Sequence, residues 1–336
     1  MTQAVMQVKD LRTAYKTRLG EYVCAVDGVS FTLEEGMQLG IAGESGCGKS
    51  TLALSLMGFF FPPLNYISGE VVIDGRNIMT MPYEELRTQI LGRVLAYIPQ
   101  AAMNALSPTK RVHQFVYDIL RAHDRTITKE KVYQMLKERF ALLGLPERAI
   151  RAFPNELSGG MKQRVVIVVS TILNPKILIA DEPTSALDVT SQKQVMQMMQ
   201  RMLKLGIVKS IIYITHELPL LRQITSDIMV MYAGQIVEHG TTEQSIFDSI
   251  HPYTRALMGS IIVPEGGAKD WKITGIPGAP PNLRHKIEGC RFKERCRYAG
   301  GLCKTCEGKE QIIEREGRMY RCDLSEEILR EACGYE

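Results

Sequence analysis

The sequence predicts an α/β protein. A core with a mainly parallel sheet is joined to an antiparallel β subdomain, a helical subdomain and a small irregular Cys-rich C-terminal domain. Three observations predict it. Over residues 1–250, short runs rich in β-branched residues alternate with longer amphipathic stretches, the pattern of strands and helices taken in turn. The opening segment instead sets strand-like runs one after another with only turns between. Six of the eight cysteines fall at or after Cys290, in a stretch whose texture differs from everything before it.

The elements follow in order. Runs 5–11, 23–33 and 70–73 read as strands of the antiparallel sheet, and Asp74-Gly75 is a strong turn signal after the last of them. Core strands are expected at Gln38–Ala42, 94–98, 177–180, 211–215 and 228–232. Four of these are nearly all apolar, as strands covered on both faces are. Helices are expected at 50–57, Lys129–Leu143, 160–173 and 191–205. Residues 101–157 carry little strand signal and several helical patterns, so a helical insertion is placed there. Beyond 258, Gly266-Gly267, Pro277, Gly278, Pro280 and Pro281 break regular structure. The expected division is 1–258 for the larger domain and 259–336 for a C-terminal extension, with no internal repeat.

Composition narrows the function classes. The 336 residues are 45% hydrophobic and 23% charged, which suits a folded chain and not a disordered one. Lys+Arg number 41 against 37 Asp+Glu, a net charge of +4, too even a balance to suggest nucleic-acid binding. No apolar run approaches the ~18–20 residues that a membrane span needs. The greasiest stretch, 52–64, is broken by Gly58, Pro62 and Pro63. The first residues show no basic region followed by an apolar one, so a cytosolic chain without a secretory signal is expected.

Residues 43–51 read Gly43-Glu44-Ser45-Gly46-Cys47-Gly48-Lys49-Ser50-Thr51, which fits G-x-x-x-x-G-K-[ST]. The motif follows an expected strand and opens an expected helix, the context of a phosphate-binding P-loop. Its glycines let the backbone wrap a phosphate, and N–H groups at the helix start point at the anion. Lys49 supplies charge for the β- and γ-phosphates, and the Ser50 hydroxyl can ligate Mg²⁺. Further along, 177–182 is an apolar strand ending in two carboxylates. Asp181 is placed to hold the magnesium and Glu182 to act as general base toward water. Two acids at a strand end are often only solvated charges; a P-loop earlier in the chain favours the functional reading.

Leu157-Ser158-Gly159-Gly160-Met161-Lys162-Gln163-Arg164 resembles the signature sequence of ATP-binding-cassette (ABC) ATPases. Alone, Ser158 would be an ordinary helix N-cap. Between the P-loop and Asp181 it is similar to the family's second phosphate-binding helix start, with Ser158, Gly159 and Gly160 facing nucleotide. The resemblance covers roughly residues 5–250. It implies an ABC-type P-loop ATPase core that binds ATP and Mg²⁺. It also implies that Gln100 is the Q-loop glutamine sensing γ-phosphate and metal, that 185–188 is the D-loop, and that His216 is the switch histidine. Tyr15 resembles the aromatic that stacks on adenine, with Tyr22 as its rival. The family pairs two cassettes around each ATP, so a second cassette subunit, a paralogue, is implied as partner.

The C-terminal cysteines Cys290, Cys296, Cys303 and Cys322 form a possible four-thiolate set, loosely spaced for zinc. Only Cys303-x2-Cys306 has zinc-like spacing. Seven Lys/Arg stand between 284 and 304, a field that favours thiolates and offsets the charge of an iron–sulfur cluster. Free or structurally buried cysteines are the alternative. His251-Pro252-Tyr253-Thr254-Arg255-Ala256-Leu257, the 276–281 segment and Gly289-Cys290-x-Phe292-x-x-Arg295-Cys296 resemble the C-terminal extension of ATP-binding subunits of oligopeptide/dipeptide ABC importers. That resemblance implies a [4Fe–4S] cluster on Cys290, Cys296, Cys303 and Cys322, with a structural or sensing role. Cys306 and Cys333 fall outside the pattern.

The expected function is therefore ATP hydrolysis coupled to solute import, most of all of peptides. The site would lie peripherally on the cytoplasmic face of the cell membrane. Implied partners are two transmembrane permease subunits and an extracytoplasmic solute-binding protein, with no nucleic acid. The alternative is a soluble ABC ATPase acting in repair, assembly or translation. Such proteins carry paired cassettes, coiled-coil insertions or a basic surface, none of which is read here. A third reading makes the C-terminal domain a redox sensor that gates transport.

Overall fold

The computed structural model describes residues 3–259, 275–285, 287–303, 311–315 and 317–331. Cys306, Cys333, Lys286, Lys304 and residues 260–262 lie outside these. The first strands are Ala4–Lys16 (β1), Tyr22–Glu34 (β2), Gln38–Ala42 (β3), Leu64–Ile73 (β4), Arg76–Asn77 (β5) and Leu95–Ile98 (β6). Then come Ile177–Asp181 (β7), Ser210–Ile214 (β8), Asp227–Tyr232 (β9), Gln235–Thr241 (β10), Ile312–Arg315 (β11) and Arg318–Arg321 (β12). The chain divides into two compact units. The first comprises Met1–Val5, Glu34–Gly36 and Thr80–Tyr213; the second comprises Met6–Leu33, Met37–Met79 and Ile214–Glu336.

In the first unit β8, β7 and β6 are neighbours, and β6 runs parallel to β7 with Leu95 opposite Ile177. Every residue of β7 and β8 is buried. That is the consequence of their unbroken apolar runs: covered on both faces, neither strand has a solvent side on which polar residues could alternate. The helical subdomain contains Val112–His123 and Lys129–Leu143. The second of these starts where the sequence places it, because the Thr128 hydroxyl accepts a hydrogen bond from the Lys131 N–H at 3.2 Å. It ends at Gly144, whose φ of 71° closes the last turn in a conformation disfavoured for other residues. Val116, Leu120, Leu136 and Phe140 form the buried faces.

In the second unit the expected antiparallel subdomain is present, in the order β2-β1-β4-β5. β1 is longer than expected. It continues past the charged Asp10 and Arg12 through register shifts between Lys9 and Thr13, and these bulges let it stay paired to β4. The other sheet of this unit has the order β11-β12-β10-β9-β3. β3 and β9 are parallel; β9-β10, β10-β12 and β12-β11 are antiparallel.

β11 and β12 correct the expectation that the C-terminal stretch is irregular. They form a hairpin that extends the sheet edge beyond β10. Arg318 of β12 reaches Glu238 of β10 at 2.8 Å. Glu238 is fully buried and also accepts from the N–H groups of Ile250 and His251 at 2.8 and 3.0 Å. Burial pushes its pKa up, while the Ile250 N–H and Arg318 oppose the shift. A buried carboxylate is tolerable only when so fully paired. Arg330 clamps Asp248 with two bonds of 2.6 and 2.7 Å, holding the terminal helix Glu326–Glu331 to the same region. His251, wholly buried, is pushed down to about 3 and stays neutral, so its Nδ1 accepts from the Tyr253 N–H at 3.1 Å.

Candidate functional site

The second unit builds the P-loop. β3 delivers buried Leu39, Ile41 and Ala42 to the sheet, and the chain then turns at Gly43 with φ 150°. A Cβ added there would stand 2.3 Å from the Met231 carbonyl oxygen; one at Gly48 (φ 108°) would stand 2.2 Å from that of Ala25. Neither position admits a side chain, so both glycines are required by the close approach of neighbouring backbone. The loop is tied at its other end too, where the Gly234 N–H donates to the Cys47 carbonyl at 2.8 Å. Helix Lys49–Leu56 begins at Gly48 with no side-chain cap, leaving its first N–H groups for an anion.

Lys49 is 7% exposed, and its Nζ donates to the carbonyls of Gly43 and Glu44 at 2.7 and 2.9 Å. Ser45, Gly46 and Ser50 are exposed around this ammonium, and Thr51 is buried. The Cys47 thiol is pushed up by burial, so no thiolate competes for the lysine's charge. Tyr15 stands beside the helix, its hydroxyl 3.1 Å from Thr51 Oγ1. Tyr22 is 48% exposed with Lys16 over its ring. His216 is exposed, one residue after Thr215, whose N–H donates to Ile41 of β3 at 3.3 Å. The switch candidate therefore leaves the sheet beside the strand that feeds the P-loop.

The first unit collects the other candidates. Asp181, 1% exposed, ends β7 and accepts from the Tyr97 hydroxyl at 3.3 Å. Burial, then the charge of Asp181, pushes the Tyr97 pKa up, so this phenol remains a donor. Glu182 follows at φ 48°, an uncommon conformation for a non-glycine residue and a sharp turn out of the strand. Gln100 donates from Nε2 to Glu182 Oε2 at 3.0 Å, joining the Q-loop candidate to the base candidate. An oxygen-only set of this kind suits magnesium.

Helix Gly159–Ser170 carries the signature residues. The Ser158 hydroxyl caps it by accepting from the Met161 N–H at 3.3 Å. Gly160 is required sterically, since an added Cβ would meet Ser191 Oγ at 2.6 Å. Ser191 in turn donates to Asp188 from its N–H at 2.9 Å and its hydroxyl at 2.7 Å, and these bonds hold the Asp188 carboxyl below its usual range. The D-loop candidate and the signature helix start are thus packed through one serine. Buried Gln163 donates to the Pro183 carbonyl at 2.7 Å and fixes the loop after Glu182 to the same helix.

Cys290, Cys296, Cys303 and Cys322 line one cavity of about 20 Å³, with His251, Phe292 and Asp323. Their convergence across the sequence fits an iron–sulfur donor set in residue type. Cys303 is disulfide-bonded, whereas Cys290, Cys296 and Cys322 are outside any disulfide. Among the described residues no three His, Cys, Asp or Glu are grouped to hold a metal ion. Burial pushes the Cys296 thiol up, so the basic surroundings do not by themselves make it a thiolate.

Sequence reasoning missed three contacts: Tyr97 on Asp181, Tyr253 on the P-loop and Arg295 on Glu44. The Tyr253 hydroxyl accepts from the Glu44 N–H at 2.9 Å, and Arg295 grips the Glu44 carboxylate at 2.7 and 2.9 Å. These partners stand far apart in the chain, and no local spacing announces them.

Residues 26–185 match the ABC transporter family, and residues 237–303 match the C-terminal region of oligopeptide/dipeptide transporters. An oligopeptide transport ATP-binding protein of Bacillus subtilis (strain 168) is 40% identical, covering 88% of this chain and 82% of that one. A dipeptide transport ATP-binding protein of Caldanaerobacter subterraneus subsp. tengcongensis is 36% identical, covering 96% of this chain and 98% of the relative. Among solved structures, the dimeric ATP-binding cassette MJ0796 bound to ADP and phosphate matches with a TM-score of 0.62 and 26% identity. It covers 70% of this chain and 98% of its own. No helix among the described residues is long and apolar enough to cross a membrane.

Proposed function

This chain belongs to the ATP-binding subunits of oligopeptide/dipeptide ABC transporters, and we propose that it hydrolyses ATP to drive peptide uptake from the cytoplasmic face of the membrane. One observation carries the reading. A sterically enforced P-loop with a buried lysine and a serine-capped signature helix occur in one chain, each built to present N–H groups to phosphate. The working partners are a paralogous cassette, two permease subunits and a substrate-binding protein. We propose that residues 259–336 form a C-terminal extension to the cassette.

We infer the following roles, which the contacts within each unit support. Gly43, Glu44, Ser45, Gly46, Cys47, Gly48, Lys49, Ser50 and Thr51 wrap the phosphates. Tyr15, anchored to Thr51, offers a ring for adenine. Mg²⁺ would be held by oxygen ligands of the types that Ser50, in the second unit, and Gln100 and Asp181, in the first, supply. Glu182 accepts the proton of the attacking water, and Gln100 keeps its carboxylate in place. His216 contacts the γ-phosphate. Ser158, Gly159 and Gly160 serve the ATP held by the partner cassette, and closure of the pair on ATP supplies the conformational work.

The test is transport itself. Reconstituted with its permeases and substrate-binding protein in proteoliposomes, the chain is expected to show ATP-dependent uptake of peptides and peptide-stimulated ATPase activity. Uptake of another solute with no peptide response would reject the peptide assignment.

We also propose that Cys290, Cys296, Cys303 and Cys322 hold a [4Fe–4S] cluster, supported by their shared cavity. When bound, such a cluster supplies four iron–thiolate bonds that staple loops of the extension. Reduction of the Cys303 disulfide comes first. Anaerobic reconstitution after reduction should load about four iron per chain with the visible absorbance of a thiolate-bound cluster, lost in Cys322→Ser. Iron binding only at trace level in the reduced protein would rule the cluster out.

A further inference from the structure

The cysteine-bearing turn of the extension reaches into the P-loop, and nothing in the proposed roles uses that contact. Glu44 is the first variable residue of the loop, so its carboxylate stands in a segment built to wrap polyanions. Left alone, it would oppose the triphosphate at short range. Arg295, whose side chain is 4% exposed, holds both oxygens of Glu44 in a fork. The same guanidinium donates to the Pro277 carbonyl at 2.7 Å and the Tyr232 hydroxyl at 3.3 Å. Its donors are thus fixed on three sides, and the fork is preorganised.

The surroundings stiffen this contact. Phe292, on the same turn, packs at 5.2 Å from Tyr232 and 5.4 Å from Tyr253 between ring centroids. Tyr253 is the residue whose hydroxyl accepts from the Glu44 N–H. Arg291 donates to Asp27 and to the Ala233 carbonyl. Both partners lie in segments that touch the P-loop backbone: Ala25 crowds Gly48, and Gly234 bonds to Cys47. One turn therefore braces the loop at its charge and at both walls.

We propose that Arg295 is a positioning residue of the nucleotide site: it neutralises Glu44 and ties it back, so that the loop offers N–H groups and Lys49 to the triphosphate with no opposing carboxylate. The proposal rests on the nucleotide-binding reading of the P-loop. It makes the extension part of the ATP site. Because Arg295 directly precedes Cys296, the turn is also a wall of the cysteine cavity.

A merely structural arginine would lower the melting temperature and leave nucleotide affinity in place. A double-mutant cycle separates the two. MgATP affinity of the full chain is measured by titration calorimetry for wild type, R295Q, E44Q and R295Q/E44Q. R295Q is expected to weaken MgATP roughly 10-fold, the scale of one unscreened like charge near the phosphates. In the E44Q background the same change should cost less than about 3-fold. R295K, which keeps the charge and loses the fork, should fall between. Equal losses in both backgrounds, or R295Q within about 2-fold of wild type, would overturn the proposal. Should R295Q not fold, R295K in the two backgrounds reads the same coupling. A wild-type chain that binds no MgATP would instead defeat the nucleotide reading beneath it.

Discussion

Glu182→Gln is expected to lower the ATPase turnover of the assembled transporter by roughly 10²–10⁴, the range for loss of a general base, while MgATP still binds. Glu182 leaves β7 at a positive φ, and the loop behind it is pinned by the buried Gln163–Pro183 bond. The substitution disturbs none of this. A glutamine amide oxygen can still accept from Gln100, so the side chain should keep its place. What is lost is the carboxylate's basicity, together with its charge. Single-turnover hydrolysis and equilibrium binding, measured on the same preparation, read the two effects apart. Turnover near wild type would assign the base elsewhere, and loss of binding together with turnover would mean that Glu182 shapes the site and does not act in the chemistry.

How much of this was legible depended on whether a residue's neighbours in space were also its neighbours in sequence. The 177–181 strand announced itself, because a run buried on both faces cannot hide its apolar character. Lys129–Leu143 was readable to the residue, since Thr128 and Gly144 mark its ends by local chemistry. The P-loop was legible because one motif contains both the required glycines and the lysine. β11 and β12 were not. Their sequences, Ile312-Ile313-Glu314-Arg315 and Arg318-Met319-Tyr320-Arg321, lack clean alternation, and β12 is held in part by a buried ion pair to Glu238. Tertiary pairing made those strands where intrinsic pattern did not. Among the cysteines, the sequence pointed to the four that share a cavity, but it held no sign that Cys303 would be in a disulfide.

Lys49→Ala is expected to have the other large effect, on a different step. The ammonium is buried and held by two loop carbonyls, so its position is set before nucleotide arrives. Preorganised charge of this kind stabilises phosphate without reorganisation, and its removal should cost about 10²–10³ in kcat/KM. Because the charge contacts the ground-state phosphates as well, MgATP affinity should also fall, by about 10–100-fold for one lost charge-assisted hydrogen bond of ~1.5–3 kcal/mol. Glu182→Gln should leave that affinity in place, so the two variants separate binding from chemistry. Lys49→Arg should not rescue, since a planar fork does not fit a seat shaped by the Gly43 and Glu44 carbonyls for a compact ammonium. The carbonyls left behind lie in a loop open to water at Ser45 and Gly46, so solvent can take the lysine's place and the fold should survive. A melting temperature near wild type with MgATP affinity about 10–100-fold weaker is the expected signature. A Lys49→Ala chain that binds and turns over ATP would show that this loop does not hold the triphosphate.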